Sequence, residues 1–469
     1  MTASPLEIAR AELRGRQAWL VGGAVRDDLL GRTPVDQALD IDIAIAGSAE
    51  DAARALREAC GPGVAAFELS DQYGGWRVAG GDWQVDLIPL QGETLEEDLM
   101  GRDLTVNAIA RPLDGGPEID PSGGVEDLRA GLLRMVGPEA FNADPLRVLR
   151  LARLSSQLQL AIDGETARGA RQSASGLGRV ASERVFAEIS AVLASSAPEA
   201  GMATVAELGA EAVVLPELAA LRGVEQTRYH HLDAHGHTLE VLQRAAELEA
   251  DPSVVAGERS AEVAAILAEP LADGLSRGVA LRWAALLHDI AKSQTRAVSP
   301  EGRVGFPGHD RQGAAMAREI LGRLRASDRL ASYVAAITET HLLLGFLVHR
   351  QPLSAADYYD YLDACDPVEV DVTFLSVADR LATRGRKADE SIAAHMEVAQ
   401  PVMSAALDWR RDGRPAAPLP GDELAAELGI EPGPRLGELL AGIERASYAG
   451  DVSGREEAVA WARESLKSG

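Results

Sequence analysis

The chain has 469 residues, of which 46% are hydrophobic and 25% charged, with a formal net charge of −26. That length predicts roughly two to four domains rather than one core, and the two cysteines, Cys60 and Cys365, exclude a disulfide framework or cysteine-ligated zinc and point to a reducing, cytoplasmic setting. The first residues lack an apolar signal core and no run approaches the ~20 apolar residues of a membrane span; the acidity disfavours non-specific nucleic-acid binding by the chain as a whole, although a local basic face is enough for it.

In chain order, residues 1–135 alternate strand-like and helix-like runs. Strands are expected at residues 17–21, 41–46, 76–78 and 84–90, and helices at 25–30 and 48–60. Ser48, with Asp51 three residues on, predicts an N-cap, and Gly61 a stop. Asp114-Gly-Gly-Pro117 and Asp120-Pro-Ser-Gly-Gly124 read as two loops around a short strand. From Asp144 onward strand signals fade: Pro145 suits a first helical position with Asp144 as N-cap, and further helices are expected at about 183–194 and 202–208. The fold class is α+β, a mixed-sheet head followed by helical regions, with domains expected at 1–138, 139–225, 226–395 and 396–469. The tail carries a Pro/Gly/Arg-rich linker over 412–421 and then two amphipathic helices.

Three groups of residues in the head belong to one kind of chemistry. Gly22-Gly23 follows an apolar strand and precedes a helix, a turn whose amides can face a triphosphate, and Arg26 one turn later adds a forked donor. Asp40 and Asp42, one residue apart on a strand, project to the same face while Ile41 and Ile43 face the core. Adjacent carboxylates repel unless a cation sits between them, and Mg²⁺ favours carboxylates plus phosphate oxygens. Asp86 is a candidate third carboxylate for that metal. A short Asp-x-Asp also occurs at solvated strand edges, so it is the combination with Gly22, Gly23 and Arg26 that carries the reading. Beyond the head, Arg147, Arg150 and Arg153 recur in steps of three, drifting slowly round one helix face within a locally basic stretch.

Leu20-Val-Gly-Gly-Ala-Val-Arg-Asp27, Asp40-Ile-Asp42, Arg102-Asp-Leu-Thr-Val-Asn-Ala108, Asp144-Pro-Leu-Arg147-Val-Leu-Arg150-Leu-Ala-Arg153 and Glu183-Arg-Val-Phe-Ala-Glu188 occur in this order. As a set they resemble the motifs of the class II tRNA nucleotidyltransferase and bacterial poly(A) polymerase family, of the DNA polymerase beta superfamily, over roughly residues 16–240. The resemblance implies that Asp40 and Asp42 are catalytic and hold Mg²⁺, and that Gly22, Gly23 and Arg26 meet the triphosphate. It places Arg102 and Asp103 near the ribose, and has Asp144 and Arg147 read the base edge of CTP and ATP. Arg150 and Arg153 would contact phosphates. Two positions depart from the family pattern: Ala143 stands where a glutamate is usual, and Gly101 where an arginine is.

The histidines follow in a second region. His237, His288-Asp289 and Asp379, with Ile290-Ala-Lys292 behind the pair, resemble the HD phosphohydrolase superfamily over about residues 230–385, and His309 and His341 match the extra histidines of its two-metal members. The implied cofactor is a divalent metal of unassigned identity, and the implied chemistry is hydrolysis of 2′,3′-cyclic or other phosphates. His230, His231 and His235 read as supporting residues.

The expected function is template-free addition of CCA, or part of it, to tRNA 3′ ends from CTP and ATP with release of pyrophosphate, together with phosphodiesterase or phosphatase activity in the HD region. Two alternatives stay open: an A-adding enzyme or poly(A) polymerase, and a phosphohydrolase with an RNA-binding N-terminal domain. The expected partners are the tRNA 3′ end, CTP and ATP, with no membrane; oligomeric state is left open.

Overall fold

The computed structural model describes residues 4–70 and 74–468. Two compact units are distinguished: one holds the chain up to Val180 together with Glu207–Val213, the other Ala181–Ala206 and the chain from Val214 onward.

In the first unit the chain forms α1 (Pro5–Glu12), β1 (Ala18–Val21), α2 (Gly23–Leu29), β2 (Asp40–Ile45), α3 (Ala49–Cys60), β3 (Ala65–Ser70), β4 (Gly75–Gly80), β5 (Trp83–Pro89), α4 (Leu95–Met100), β6 (Ala110–Pro112), α5 (Gly124–Ala130), α6 (Ala140–Ala143) and α7 (Arg147–Leu158). The strands make one six-stranded sheet in the order β3-β4-β5-β2-β1-β6. Within this sheet β2 and β5 run parallel, and the other pairs are antiparallel. The sheet's two faces differ because β2 alternates Asp and Ile. Ile41 and Ile43 pair with Val85 and Leu87 and are buried with them. Over this face lies α3, capped by Ser48 as expected, with its stripe of Ala49, Ala52, Ala53 and Leu56 buried. On the opposite face α4 lays Leu95 and Leu99 against Val21, Ala44 and Ala110. This covers part of the β2–β1–β6 half and leaves the β5–β4–β3 half open; the site is built where the two halves meet, at β2 and β5.

Local differences from the expected elements have local causes. Strand β3, with the weakly strand-like sequence Ala-Ala-Phe-Glu-Leu-Ser, is added by pairing with β4. Helix α5 begins where a loop is expected because the Asp120 carboxylate accepts from the amides of Gly124 and Val125 at 2.8 and 2.9 Å and starts the turn. Helix α7 begins at Arg147 rather than Pro145; Asp144 ends α6 instead, and its Oδ1 accepts from the Leu146 amide at 3.1 Å.

The second unit is helical apart from short hairpins at Pro270–Ala272 with Leu275–Ser276 and Ala297–Val298 with Val304–Gly305. Its core centres on residues such as Trp283 and Phe374, both fully buried; Trp283 stacks on Phe186 at 5.6 Å between ring centroids and donates to Ser190 at 3.0 Å. The stretch Asp328–Arg350 has the length and composition of a membrane span, yet half of it is buried and it carries His341 into the interior. The tail forms three helices where two are expected, Gly421–Leu428, Pro434–Ala449 and Arg455–Ser468, which share a small apolar core of their own.

Candidate active site and histidine cluster

A cleft of ≈ 840 Å³ opens beside β2 and the Gly22–Gly23 turn. Register alone brings its carboxylates together. Asp42 on β2 lies directly opposite Asp86 on β5, and Asp40 opposite Gln84, which donates to Asp40 Oδ1 at 2.9 Å. Oxygens of Asp40, Asp42 and Asp86 all lie within 4.8 Å of one another. Burial, followed by the charges of Asp40 and Asp86, pushes the Asp42 carboxyl up to about 6. Three acids brought together at such a cost in repulsion fit a divalent cation, which offsets it.

Gly22 explains its own identity. Its φ is +71°, and a β-carbon there would sit 2.8 Å from Asp42 Oδ2. The turn can therefore approach the carboxylates only as glycine. At Gly23 an added carbon would meet Arg26 at an ordinary 3.6 Å. Arg26 is held by Asp27 at 2.9 Å and by Asn107 Oδ1 at 2.7 Å.

Arg102, Asp103, Arg147, Arg150 and Arg153 also line this cleft, with Gly22, Gly23, Arg26, Asp40 and Asp42. Arg102 is braced by Asp98 at 3.0 and 3.2 Å. Asp103 is 4% exposed and ion-paired with Arg150 at 3.2 Å. Burial alone would raise the Asp103 carboxyl; the Arg150 charge and the donors of Asn107 and Leu104 outweigh it and hold the group below the usual carboxylate range. A polar chain thus runs Arg26–Asn107–Asp103–Arg150. Arg147 spends its donors on backbone, reaching Gly101 O at 2.9 Å, Ala140 O at 3.0 Å and Arg102 O at 3.2 Å. Asp144 lies outside the cleft lining among the described residues.

Reading the sequence alone misses Arg77, which grips Asp86 through Nε to Oδ1 and Nη2 to Oδ2, both at 2.7 Å. It also misses Asn107 and Asp98 as braces. Strand register joins Arg77 to the site; Asn107 lies within a motif but meets Arg26 only by tertiary contact, and Asp98 stands one turn before Arg102.

The second unit gathers the predicted HD residues from separate helices. His237 comes from Ala234–Ala250 and Asp379 from Glu369–Ala382. His309 opens His309–Arg323, His341 ends Asp328–Thr340, and His288-Asp289 follow Arg277–Leu287. Because that helix ends at Leu287, the adjacent pair need not share a helix face. Asp289 Oδ2 faces His288 Nε2 at 3.1 Å and His237 Nε2 at 3.9 Å; its Oδ1 faces His309 at 3.4 Å and His341 at 3.8 Å. Asp379 Oδ1 lies 2.9 Å from His237 Nε2.

The tautomers follow from the other ring nitrogens. Nδ1 of His288, His309 and His341 faces the carbonyls of Ala285, Phe306 and Thr338 at 2.8, 2.7 and 2.6 Å. A carbonyl only accepts, so each Nδ1 is the protonated one and each Nε2 lone pair is left for a ligand. The Nε2 atoms of His288 and His309 are buried without hydrogen-bond geometry to any acceptor or donor. That donor set would suit divalent metal, with Asp289 common to the two candidate ligand groups His237, His288, Asp289 and Asp289, His309, His341. Lys292, 2.5 Å from Asp289, and Arg380 line the adjoining cavity of ≈ 250 Å³. His230 and His395 line it too, and burial pushes both down to about 4. His230 packs edge-on against His237 at 4.9 Å. His395, which the sequence reading passes over, contacts Ser376 at 3.2 Å.

Comparison with known proteins agrees with this geometry. The model of the poly A polymerase head domain matches residues 18–72 and 79–134, that of the probable RNA- and SrmB-binding site of polymerase A residues 159–221, and that of the HD domain residues 235–384. The A-adding tRNA nucleotidyltransferase of Deinococcus radiodurans is 37% identical over 460 residues, covering 95% of this chain and 96% of that protein. This chain belongs to the tRNA nucleotidyltransferase and poly(A) polymerase family. Its members include the CC-adding tRNA nucleotidyltransferase of Thermus thermophilus, 34% identical over 467 residues and covering 95% of this chain and 93% of that one. The Bacillus stearothermophilus CCA-adding enzyme solved in complex with CTP shares the fold, with a TM-score of 0.65 at 23% identity over 99% of this chain and 97% of that one. The nucleotidyltransferase described here is therefore an enzyme with a poly A polymerase head domain and an HD domain.

Proposed function

We propose that the nucleotidyltransferase adds C, A or both to tRNA 3′ ends, from CTP and ATP, without a nucleic-acid template. The observation that carries this reading is the convergence of Asp40, Asp42 and Asp86 with the Gly22 turn and the arginines of α7 in one cleft. In the reaction the terminal ribose hydroxyl of the RNA attacks the α-phosphorus of the nucleotide. A new P–O bond forms, the α–β P–O bond breaks and pyrophosphate leaves. Asp40 and Asp42, with Asp86 beside them, would hold Mg²⁺, which when bound supplies positive charge for hydroxyl activation and for the leaving pyrophosphate. The amides of the Gly22–Gly23 turn and the Arg26 fork bind the triphosphate. Arg102, braced by Asp98, stands beside Gly22 to orient the ribose. Arg147, which lines the cleft while stapled to three carbonyls, would offer its remaining N–H groups to the base edge; Asp144, outside the lining, would add an acceptor only by turning into the cleft; Arg150 and Arg153 would meet phosphates.

Relatives that add A and relatives that add CC are similarly close, so the nucleotide is settled by experiment. The purified protein is given tRNA lacking CCA with CTP alone, ATP alone or both. Incorporation of C followed by A supports full CCA addition; C alone or A alone assigns a partial activity; long A tracts assign a poly(A) polymerase. No incorporation from any mixture overturns the reading.

For the second unit we propose a metal-dependent phosphohydrolase. The carrying observation is Asp289 shared between two ligand sets in a cavity that also holds Lys292 and Arg380, cations suited to a phosphate. Release of phosphate or opening of 2′,3′-cyclic AMP that depends on added divalent metal and is lost in His288→Ala supports it. A rate unchanged by that substitution rejects it.

A further inference from the structure

The open face of the head does not stop at the carboxylates. Register sets Asp42, Asp86, Arg77 and Phe67 in one row across β2, β5, β4 and β3, so all four side chains stand on one face. With strands ~4.8 Å apart, β3 lies roughly 14 Å from β2 along that row. Arg77 fills the step between, tied to Asp86 at two points, so that the charge there is neutralised. Past it, Phe67 is 47% exposed and Leu69 38% exposed. Leu69 also reaches back toward the cleft. Its Cβ and Ile88 Cγ1 each come within 3.8 Å of the place where a Gly75 side chain would start, and Ile88 lines the cleft. Ile88, Leu69 and Phe67 therefore lead as apolar steps from the cleft edge to an aromatic ring beside Arg77, on the half of the sheet away from α4.

We propose that this surface is the platform for the unpaired 3′-terminal bases of the RNA acceptor, with Phe67 stacking on a base while the terminal ribose lies at Asp42. The proposal rests on the polymerase reading above and deepens it. Three features argue for nucleobases as the occupant. The platform adjoins the cleft in which the RNA hydroxyl must be presented. Its distance from Asp42 is one that a short run of unpaired nucleotides spans. Its charge is balanced, so affinity would come from stacking rather than from phosphate pairing. Stacking tolerates any base, as an enzyme that extends the ends of many RNAs requires, and aromatic rings on an open sheet face are a recurrent way to hold unpaired RNA.

The test uses the full-length protein and tRNA ending in C or CC, whose unpaired end is long enough to reach β3, varied at saturating CTP or ATP. Phe67→Ala is expected to raise KM for the RNA roughly five- to a hundredfold, the range lost when one stacked base loses its aromatic partner. KM for the nucleotide and the circular dichroism spectrum should stay unchanged, and Phe67→Trp should hold the RNA KM within about twofold of the parent. An acceptor with 4-thiouridine one or two nucleotides before its 3′ end should crosslink on irradiation to the peptide containing Phe67. If Phe67→Ala extends RNA with the parent's KM and the crosslink falls elsewhere, the platform is wrong while the polymerase reading stands. An equal loss in Phe67→Trp, or a loss accompanied by an altered spectrum, also overturns stacking. A parent protein that extends no RNA sinks the polymerase reading itself.

Discussion

Arg77 holds Asp86 at both carboxylate oxygens, each at 2.7 Å, across the β4–β5 pair. Asp86 thereby stands beside Asp42 as a neutralised acid. Arg77→Gln frees it and makes the site more acidic. The Mg²⁺ concentration for half-maximal nucleotide transfer should fall severalfold, while the metal-free protein loses about 1–3 kcal/mol because the buried Asp86 charge is left without its partner. Magnesium titration of activity, with thermal melting in chelator, measures both. An unchanged Mg²⁺ requirement would show that the ion pair does not limit Asp86.

Asp42 gives the protein a pH-dependent weakness. Its carboxyl is pushed up from 3.8 to about 6 in the fold, first by burial and then by Asp40 and Asp86. The folded state therefore prefers the protonated acid. The associated stability is fully present below about pH 4 and is lost as pH rises through about 6, a change of up to about 3 kcal/mol. Without metal, Asp42→Asn should raise Tm at pH 7.5 and leave it nearly unchanged at pH 4. The same substitution should abolish transfer and also the gain in Tm that Mg²⁺ gives the parent. Equal Tm differences at the two pH values would contradict this.

Gly22 and Gly23 should separate under substitution. Gly22→Ala forces a β-carbon against Asp42 Oδ2 from a left-handed backbone. It is expected to cost about 1–3 kcal/mol of stability and at least ~100-fold in kcat/KM. Gly23→Ala, which meets nothing closer than 3.6 Å, should fold normally and act mainly on KM for the nucleotide. Melting curves and steady-state kinetics of the two variants distinguish them.

Arg147 is both a cleft residue and a staple. Three carbonyls, those of Gly101, Arg102 and Ala140, accept from its guanidinium. Arg147→Ala should lose about 1–3 kcal/mol of stability through orphaned acceptors and also narrow the preference between CTP and ATP. Arg147→Lys should recover only part of the stability, because an ammonium lacks the planar fork. Competition between the two nucleotides, read beside denaturant melts, separates the two roles.

In the histidine cluster, His288→Ala and His341→Ala should each lower the metal content of the protein as isolated, measured by elemental analysis, without unfolding the unit. Loss of the carbonyl-fixed imidazole removes a ligand whose tautomer is already set, so affinity should fall by at least ~100-fold. Undiminished metal content in both variants would remove the case for a metal centre.

Much of this molecule was legible in local pattern. The Asp-x-Asp strand with isoleucines between, the Ser48 cap, the glycine turn and the order of the motifs each rest on spacings of a few residues, where side-chain direction is dictated by the strand or helix itself. Local pattern failed where partners are distant. Strand β3 has almost no strand signal and exists because β4 pairs with it. Helix α5 hides behind two glycines and is started by Asp120. His395 stands alone in its helix, and nothing nearby in the chain marks it as lining the metal cavity.

The sequence by itself determined the family, the two carboxylates of β2, the glycine turn and the ligand types of the histidine cluster, because those follow from covalent spacing. Tertiary structure decided the rest. Strand register put Arg77 on Asp86 and Phe67 in the same row. The ending of a helix at Leu287 let His288 and Asp289 both serve one centre. The fold turned Arg147 toward backbone carbonyls. Register and helix ends are settled by which apolar faces are buried together, a property of the whole core that no short window of residues contains.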